Sequence, residues 1–124
     1  MTLQECYEKL GGNYEDVSGR LPSAKLIEKF MGKFLEDESF SLLCEAFEAK
    51  NKDEVFRMAH TLKGVCGNLG FSRLMKSSSV LTEKFRGGEG VFDAETAEML
   101  EEIKVDYQCT IDAISEYKKS CQIK

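Results

Sequence analysis

With 42% hydrophobic and 31% charged residues, a chain of 124 residues is long enough to bury one core, so a single globular domain is expected and a disordered chain is excluded. The net charge of −5 and the pI near 5.0 exclude nucleic acid or an anionic membrane surface as the main partner, because both demand a basic face and no basic cluster exceeds a few residues. No apolar run approaches the roughly eighteen residues a membrane span needs, and the N-terminus MTLQECYEKLGG lacks a basic region followed by an apolar one. A cytoplasmic protein is therefore expected.

Five cysteines, Cys6, Cys44, Cys66, Cys109 and Cys121, are odd in number, scattered, and free of any C-x-x-C pair, as reduced thiols would be. The start at Met1 without tag or linker reads as a free-standing protein.

Thr2 and Glu5 make a capping-box pattern, followed by a stripe of Leu3, Cys6, Tyr7 and Leu10 that ends at Gly11-Gly12. Asn13 can cap a second short turn carrying Tyr14, Val17 and Leu21 before Pro22. This leading segment, residues 1–22, is expected to pack across a bundle as a lid. Ser23 caps the next helix, whose apolar residues Leu26, Ile27, Phe30, Met31, Phe34 and Leu35 form a broad inward face until Asp37 and Glu38 break the run. A shorter helix over 39–50 turns Leu42, Leu43, Ala46 and Phe47 inward, and Asn51-Lys52 lead to Asp53 as the next N-cap.

The following stretch, residues 53–70, reads DEVFRMAHTLKGVCGNLG. Wound at about 100° per residue, it puts Val55, Met58, Leu62, Val65, Cys66 and Leu69 on one face and His60, the chain's only histidine, nearly opposite, beside Phe56, Lys63, Gly64 and Gly67. A glycine inside a helix costs roughly 0.8–1 kcal/mol relative to alanine, and Gly70 already serves as the C-cap. Gly64 and Gly67 thus leave a bare strip of backbone on which something large can approach the imidazole. Lys63, at i+3, can reach an anion held by His60. Histidine is a competent nucleophile when neutral, and its reference pKa of about 6.5 leaves most of it so near pH 7. A phosphoryl group fits, because it needs a nucleophile, a balancing cation and room for in-line approach. Metal ligation lacks partners: there is no second histidine, and no cysteine lies at i+3 or i+4.

After Gly70, Ser72 can cap a helix with Leu74, Ser78, Leu81 and Phe85 inward, ending at Gly87-Gly88. So short a turn makes it the antiparallel neighbour of the histidine helix, with Thr82 at the height of His60 and Arg86 nearby. The stretch GGEG reads as a flexible link, since no strand precedes it and no lysine follows in P-loop register. A final helix over about 93–117 turns Ala97, Leu100, Ile103, Tyr107, Ile111 and Ile114 inward, with Asp93, Glu95 and Glu98 early and Lys118 and Lys119 late, in accord with its dipole. No strand pattern appears. The expected fold is all-α, an antiparallel four-helix bundle over 23–119 whose core helices begin at Ser23, Asp53, Ser72 and Asp93.

The run Ala59-His60-Thr61-Leu62-Lys63-Gly64, with Asn68-Leu69-Gly70 after it, closely resembles the motif of histidine-containing phosphotransfer (HPt) domains, and the resemblance extends over about 23–119. It implies a helical bundle whose exposed histidine exchanges phosphoryl groups with aspartates of receiver domains in response regulators or hybrid histidine kinases, as a monomeric relay. By the resemblance His60 is the phosphorylated residue, Lys63 its charge partner and Gly64 the clearance. Phe56, Gly67, Thr82 and Arg86 belong to the phosphate environment or docking face. The family often has glutamine or glutamate at the position of Thr82, bonded to the imidazole; threonine is shorter, so a bridging water, a free ring or a larger role for Arg86 remain alternatives. Serines frequent after the glycine are replaced by Val65 and Cys66.

The sequence carries no P-loop or kinase motif, so the phosphoryl group is expected to come from a partner and no cofactor is expected here; the resemblance implies that Mg²⁺ would sit in the receiver's acidic site. The alternative is a helical adaptor that binds receivers or other signalling proteins without being phosphorylated. A third reading, an enzyme using His60 as a general base, lacks any orienting carboxylate nearby. Phe56 is expected either to meet the receiver or to be covered by the N-terminal helix.

Overall fold

The computed structural model describes residues 1–122; Ile123 and Lys124, the end of the expected 1–124 domain, lie outside the described residues. The chain forms α1 (Leu3–Leu10), α2 (Tyr14–Arg20), α3 (Ala24–Glu36), α4 (Ser39–Glu48), α5 (Lys52–Leu69), α6 (Ser72–Lys84) and α7 (Ala94–Gln122), with one 3-10 turn at Arg86–Gly88 before α7. No strand occurs among the described residues.

Most helices start where side-chain chemistry can satisfy the first free N–H groups. The Thr2 hydroxyl accepts from the Glu5 N–H at 3.1 Å while the Glu5 carboxylate accepts from the Thr2 N–H at 2.8 Å, closing the expected box. Asn13 and Ser23 cap α2 and α3 through the N–H groups of Asp16 and Leu26. Each such cap contributes about 1 kcal/mol. Two expected caps move. Lys50, at φ 56, reverses the chain so that Asn51 is extended and accepts from the Glu54 N–H at 3.2 Å, which makes Asn51 the cap of α5 and leaves Asp53 inside its first turn. Ser72 is the first residue of α6 rather than its cap; Phe71 holds the cap position because its ring is buried against Phe34 and Tyr7, and a phenyl side chain has no acceptor to offer the free N–H groups. Asp93, expected inside the first turn of the last helix, instead precedes α7 and caps it, trading hydrogen bonds with Thr96 at 3.0 Å each way.

The arrangement is an all-helical bundle in which α4, α5, α6 and α7 pack as successive neighbours. At 29 residues, α7 is about 44 Å long, and neither α3 nor α4 alone can match it. Together they do. The Tyr117 hydroxyl donates to Glu28 at 2.9 Å, Tyr107 stacks on Phe40 with ring centroids 3.9 Å apart, and Phe92, just before α7, meets Phe47 edge-on at 5.0 Å. Numbers rise on one side as they fall on the other, so α3 and α4 form a single arm, bent at Asp37, antiparallel to α7. The expected bundle helix beginning at Ser23 is therefore only half of that arm. Shared packing also explains three local differences. Leu42 is 43% exposed at the outer edge of the bent arm, Ala97 faces solvent because Thr96 takes the inward place, and Val65 is only half-buried. Flanked by α6 and α1, α7 buries Thr96, Asp106 and Thr110 as well as its apolar stripe.

The leading segment lies along the C-terminal half of α7, with Leu3, Cys6, Tyr7 and Leu10 buried and Lys9 paired with Glu116 at 2.8 Å. It also closes the end of α5. The Tyr7 hydroxyl donates to the Leu69 carbonyl at 2.7 Å, the Asn13 N–H to the Gly70 carbonyl at 2.8 Å, and the Arg20 guanidinium to the carbonyls of Gly67 and Asn68 at 2.9 and 2.8 Å. A helix C-terminus has carbonyls without intrahelical partners, and these bonds satisfy them while anchoring the helix that bears the histidine. None of the five cysteines is in a disulfide.

Candidate functional site

On α5, Val55, Met58, Ala59, Leu62, Cys66 and Leu69 are buried, and His60 is exposed on the other side, as the helical phase requires. Burial pushes the Cys66 thiol far up, so this cysteine is a packing group rather than a reactive one. Lys63 is half-buried one turn after the imidazole and takes part in none of the ion pairs among the described residues. At Gly64 a Cβ would meet nothing within 4 Å, so the backbone there lies open to solvent. Gly67 differs: a Cβ would lie 3.8 Å from Met75, and its carbonyl receives Arg20. The bare strip expected beside the histidine narrows to Gly64, because α2 and α6 close over the next turn.

Phe56 lies one turn before the histidine, half-buried, with its ring 5.7 Å from the imidazole and only 14° from parallel. The Arg86 guanidinium stands 5.3 Å from the centre of the Phe56 ring. Arg86 is in turn gripped by Glu83 through two hydrogen bonds of 2.9 and 2.8 Å. The hydrogen bond from Arg86 holds the Glu83 carboxyl below the usual carboxylate range; desolvation opposes it, and the charges of Arg86, Lys63 and His60 reinforce it. Glu83 therefore belongs to the surroundings of the histidine, a residue that sequence reasoning passed over. The available signal was its i, i+3 spacing to Arg86.

Thr82 does not join them. It is fully buried and its hydroxyl donates to the Ser78 carbonyl at 2.7 Å, the usual fate of a short hydroxyl on the core face of a helix. The expectation that Thr82 flanks the imidazole is corrected accordingly: the α6 groups that face the site are Glu83 and, just past the helix end, Arg86. The Ser78 hydroxyl, also buried, has no partner.

Beyond Gly64 on α5, a groove of about 300 Å³ opens between α2, α3 and α5, lined by Leu21, Phe30, Lys33, Phe34, Asp37, Val65, Asn68 and Leu69. Among the described residues no three His, Cys, Asp or Glu side chains converge as metal ligands, and no helix is long and apolar enough to cross a membrane. The arrangement offers an accessible nucleophile, a nearby cation and an open approach, on a surface rather than in a cavity.

A family model described as Hpt domain matches residues 29–113. No curated protein and no solved structure gives a significant match. A match that spans more than half of the chain and takes in the whole of α4, α5 and α6, and with them every residue of the histidine's surroundings, places this protein in the Hpt domain family.

Proposed function

We propose that the protein is a phosphorelay intermediate in which His60 takes a phosphoryl group from an aspartate of one receiver domain and passes it to an aspartate of another. Hpt domains are phosphotransfer modules of signalling that interact with receiver domains, rather than enzymes with ATP sites. The observation that supports the finer reading here is the exposed imidazole one turn before a helical glycine with nothing near it. In the transfer, the lone pair of the unprotonated ring nitrogen attacks phosphorus, the bond from phosphorus to the aspartyl oxygen breaks, and the carboxylate leaves with its electron pair. The other ring nitrogen keeps its proton. In this reading Lys63, one turn after His60, balances the added phosphoryl charge, Gly64 lets the receiver come in line, and Mg²⁺ would be held by the receiver.

The docking face we assign runs along α5 from Phe56 past His60 and Gly64 to the edge of the groove at half-buried Val65. Helix α1 does not compete for Phe56, because its apolar residues are spent on α7 and on the far end of α5 at Leu69. Incubation of the purified protein with phosphorylated receiver domains of its host tests the reading, with acid-labile label expected on His60. Tight binding of a receiver without any label would instead establish an unphosphorylated adaptor.

A further inference from the structure

A nucleophilic imidazole must present its ring plane correctly, because the attacking lone pair lies in that plane. In this protein no hydrogen bond to the His60 ring occurs among the described residues, and the buried Thr82 hydroxyl on α6 has committed its proton to the Ser78 carbonyl. What the ring does have is Phe56, nearly parallel at 5.7 Å. Phe56 is itself held: the Arg86 cation lies over its face at 5.3 Å, and Glu83 fixes Arg86 with a two-point grip. A continuous line of contacts thus runs from Glu83 at the end of α6 through Arg86 and Phe56 to His60 on α5.

We propose that Phe56 is a positioning residue for the histidine, setting the plane of the imidazole by stacking where a hydrogen bond from α6 is lacking. Two flat rings in near-parallel contact lose that contact when either turns about its last bond, so the stack restricts His60 to orientations that share one plane. Restricting the nucleophile before the donor arrives lowers the orientational cost of reaching the in-line geometry. The Glu83–Arg86 pair holds Phe56 in place from α6. This inference rests on the phosphotransfer reading of His60 but assigns Phe56 a task within this chain, distinct from touching a partner.

The test uses a donor too small to have a docking face, phosphoramidate, beside a phosphorylated receiver, on the full chain and its Phe56→Leu and Phe56→Tyr variants. Leucine keeps the apolar bulk and removes the flat face; tyrosine keeps both. Phosphorylation by phosphoramidate is expected to slow roughly tenfold in Phe56→Leu and to return to the wild-type rate in Phe56→Tyr. Because His60 is the only histidine, its two ring C–H proton resonances are directly assignable, and they should lose their ring-current displacement in the leucine variant and retain it in the tyrosine variant. An unchanged phosphoramidate rate in Phe56→Leu, even with slower transfer from the receiver, would make Phe56 a partner contact only and overturn the inference. So would imidazole resonances that do not move. A wild-type protein that accepts phosphate from neither donor would overturn the phosphorelay reading itself, a result seen without any variant.

Discussion

Gly64 lies within α5 and Gly70, six residues later, caps its end, and their surroundings are opposite. At Gly70 the backbone is left-handed, at φ +72, and a Cβ would fall 2.9 Å from the Asn13 carbonyl and 3.2 Å from Val17. Its N–H closes the end of α5 and its carbonyl receives the Asn13 N–H at 2.8 Å. The chain itself uses that space. At Gly64 the backbone is ordinary helix and nothing lies within 4 Å. A glycine there weakens the helix by roughly 0.8–1 kcal/mol relative to alanine and gains no contact within the protein in return. A crowded glycine is explained by the fold, whereas an open one in mid-helix next to a lone exposed histidine asks for an explanation outside it. One end of α5 is thus clamped by its own chain so that its middle can be offered to another.

Four substitutions can break or sharpen that contrast. The largest effect belongs to His60→Gln, which is expected to abolish phosphate acceptance from a phosphorylated receiver while leaving helical circular dichroism and the urea midpoint unchanged, since the side chain is exposed. Label retained on that variant would remove the nucleophile from the open face altogether. Next comes Gly70→Ala at the clamped end. Left-handed backbone disfavours a Cβ by about 1–2 kcal/mol and the Asn13 carbonyl is in the way, so a loss of roughly 2–3 kcal/mol in unfolding free energy is expected, with phosphate acceptance intact in the fraction that is folded. A neutral outcome there would mean that the junction yields easily and that the crowding is not structural.

Gly64→Gln should do the reverse. Transfer from a receiver is expected to slow roughly tenfold as the side chain intrudes on the approach, while the unfolding free energy rises by about 0.5 kcal/mol on helix propensity alone. Equal transfer rates in variant and wild type would leave the open glycine unexplained. The smallest change is Tyr7→Phe, which removes the hydroxyl bonded to the Leu69 carbonyl at 2.7 Å and should lower stability by about 1 kcal/mol. Transfer should stay at the wild-type rate; a slower rate in this variant would show that the clamp on α5 also sets the geometry of its middle.

The amino-acid sequence by itself determined what depends on neighbours along the chain. The Thr2–Glu5 box, the caps at Asn13 and Ser23, the stop at Gly70 and the outward phase of His60 all follow from side chains within a turn or two of one another. For the same reason the exposed histidine, Lys63 and Gly64 could be picked out before any packing was known. Two caps departed from what local chemistry indicated: Asn51 displaced Asp53 because Lys50 turns left-handed, and Phe71 displaced Ser72 because a buried ring had to fit among Phe34 and Tyr7.

Packing decided the rest. Periodicity says which residues share a face of a helix but not how wide an arc its neighbours cover, so Ala97 and Leu42 lie outside the buried arc while Thr82, Asp106 and Thr110 lie inside it. That two separate helices, α3 and α4, serve as one arm is a matter of matching the length of α7, more than forty residues later in the chain. The same holds at the site: only the closure of α6 against α5 turns Thr82 into the core and brings Glu83 and Arg86 to the histidine's side, because which residue of one helix faces a given residue of another depends on how the pair is rotated about their axes, and that rotation is set by core side chains far from either.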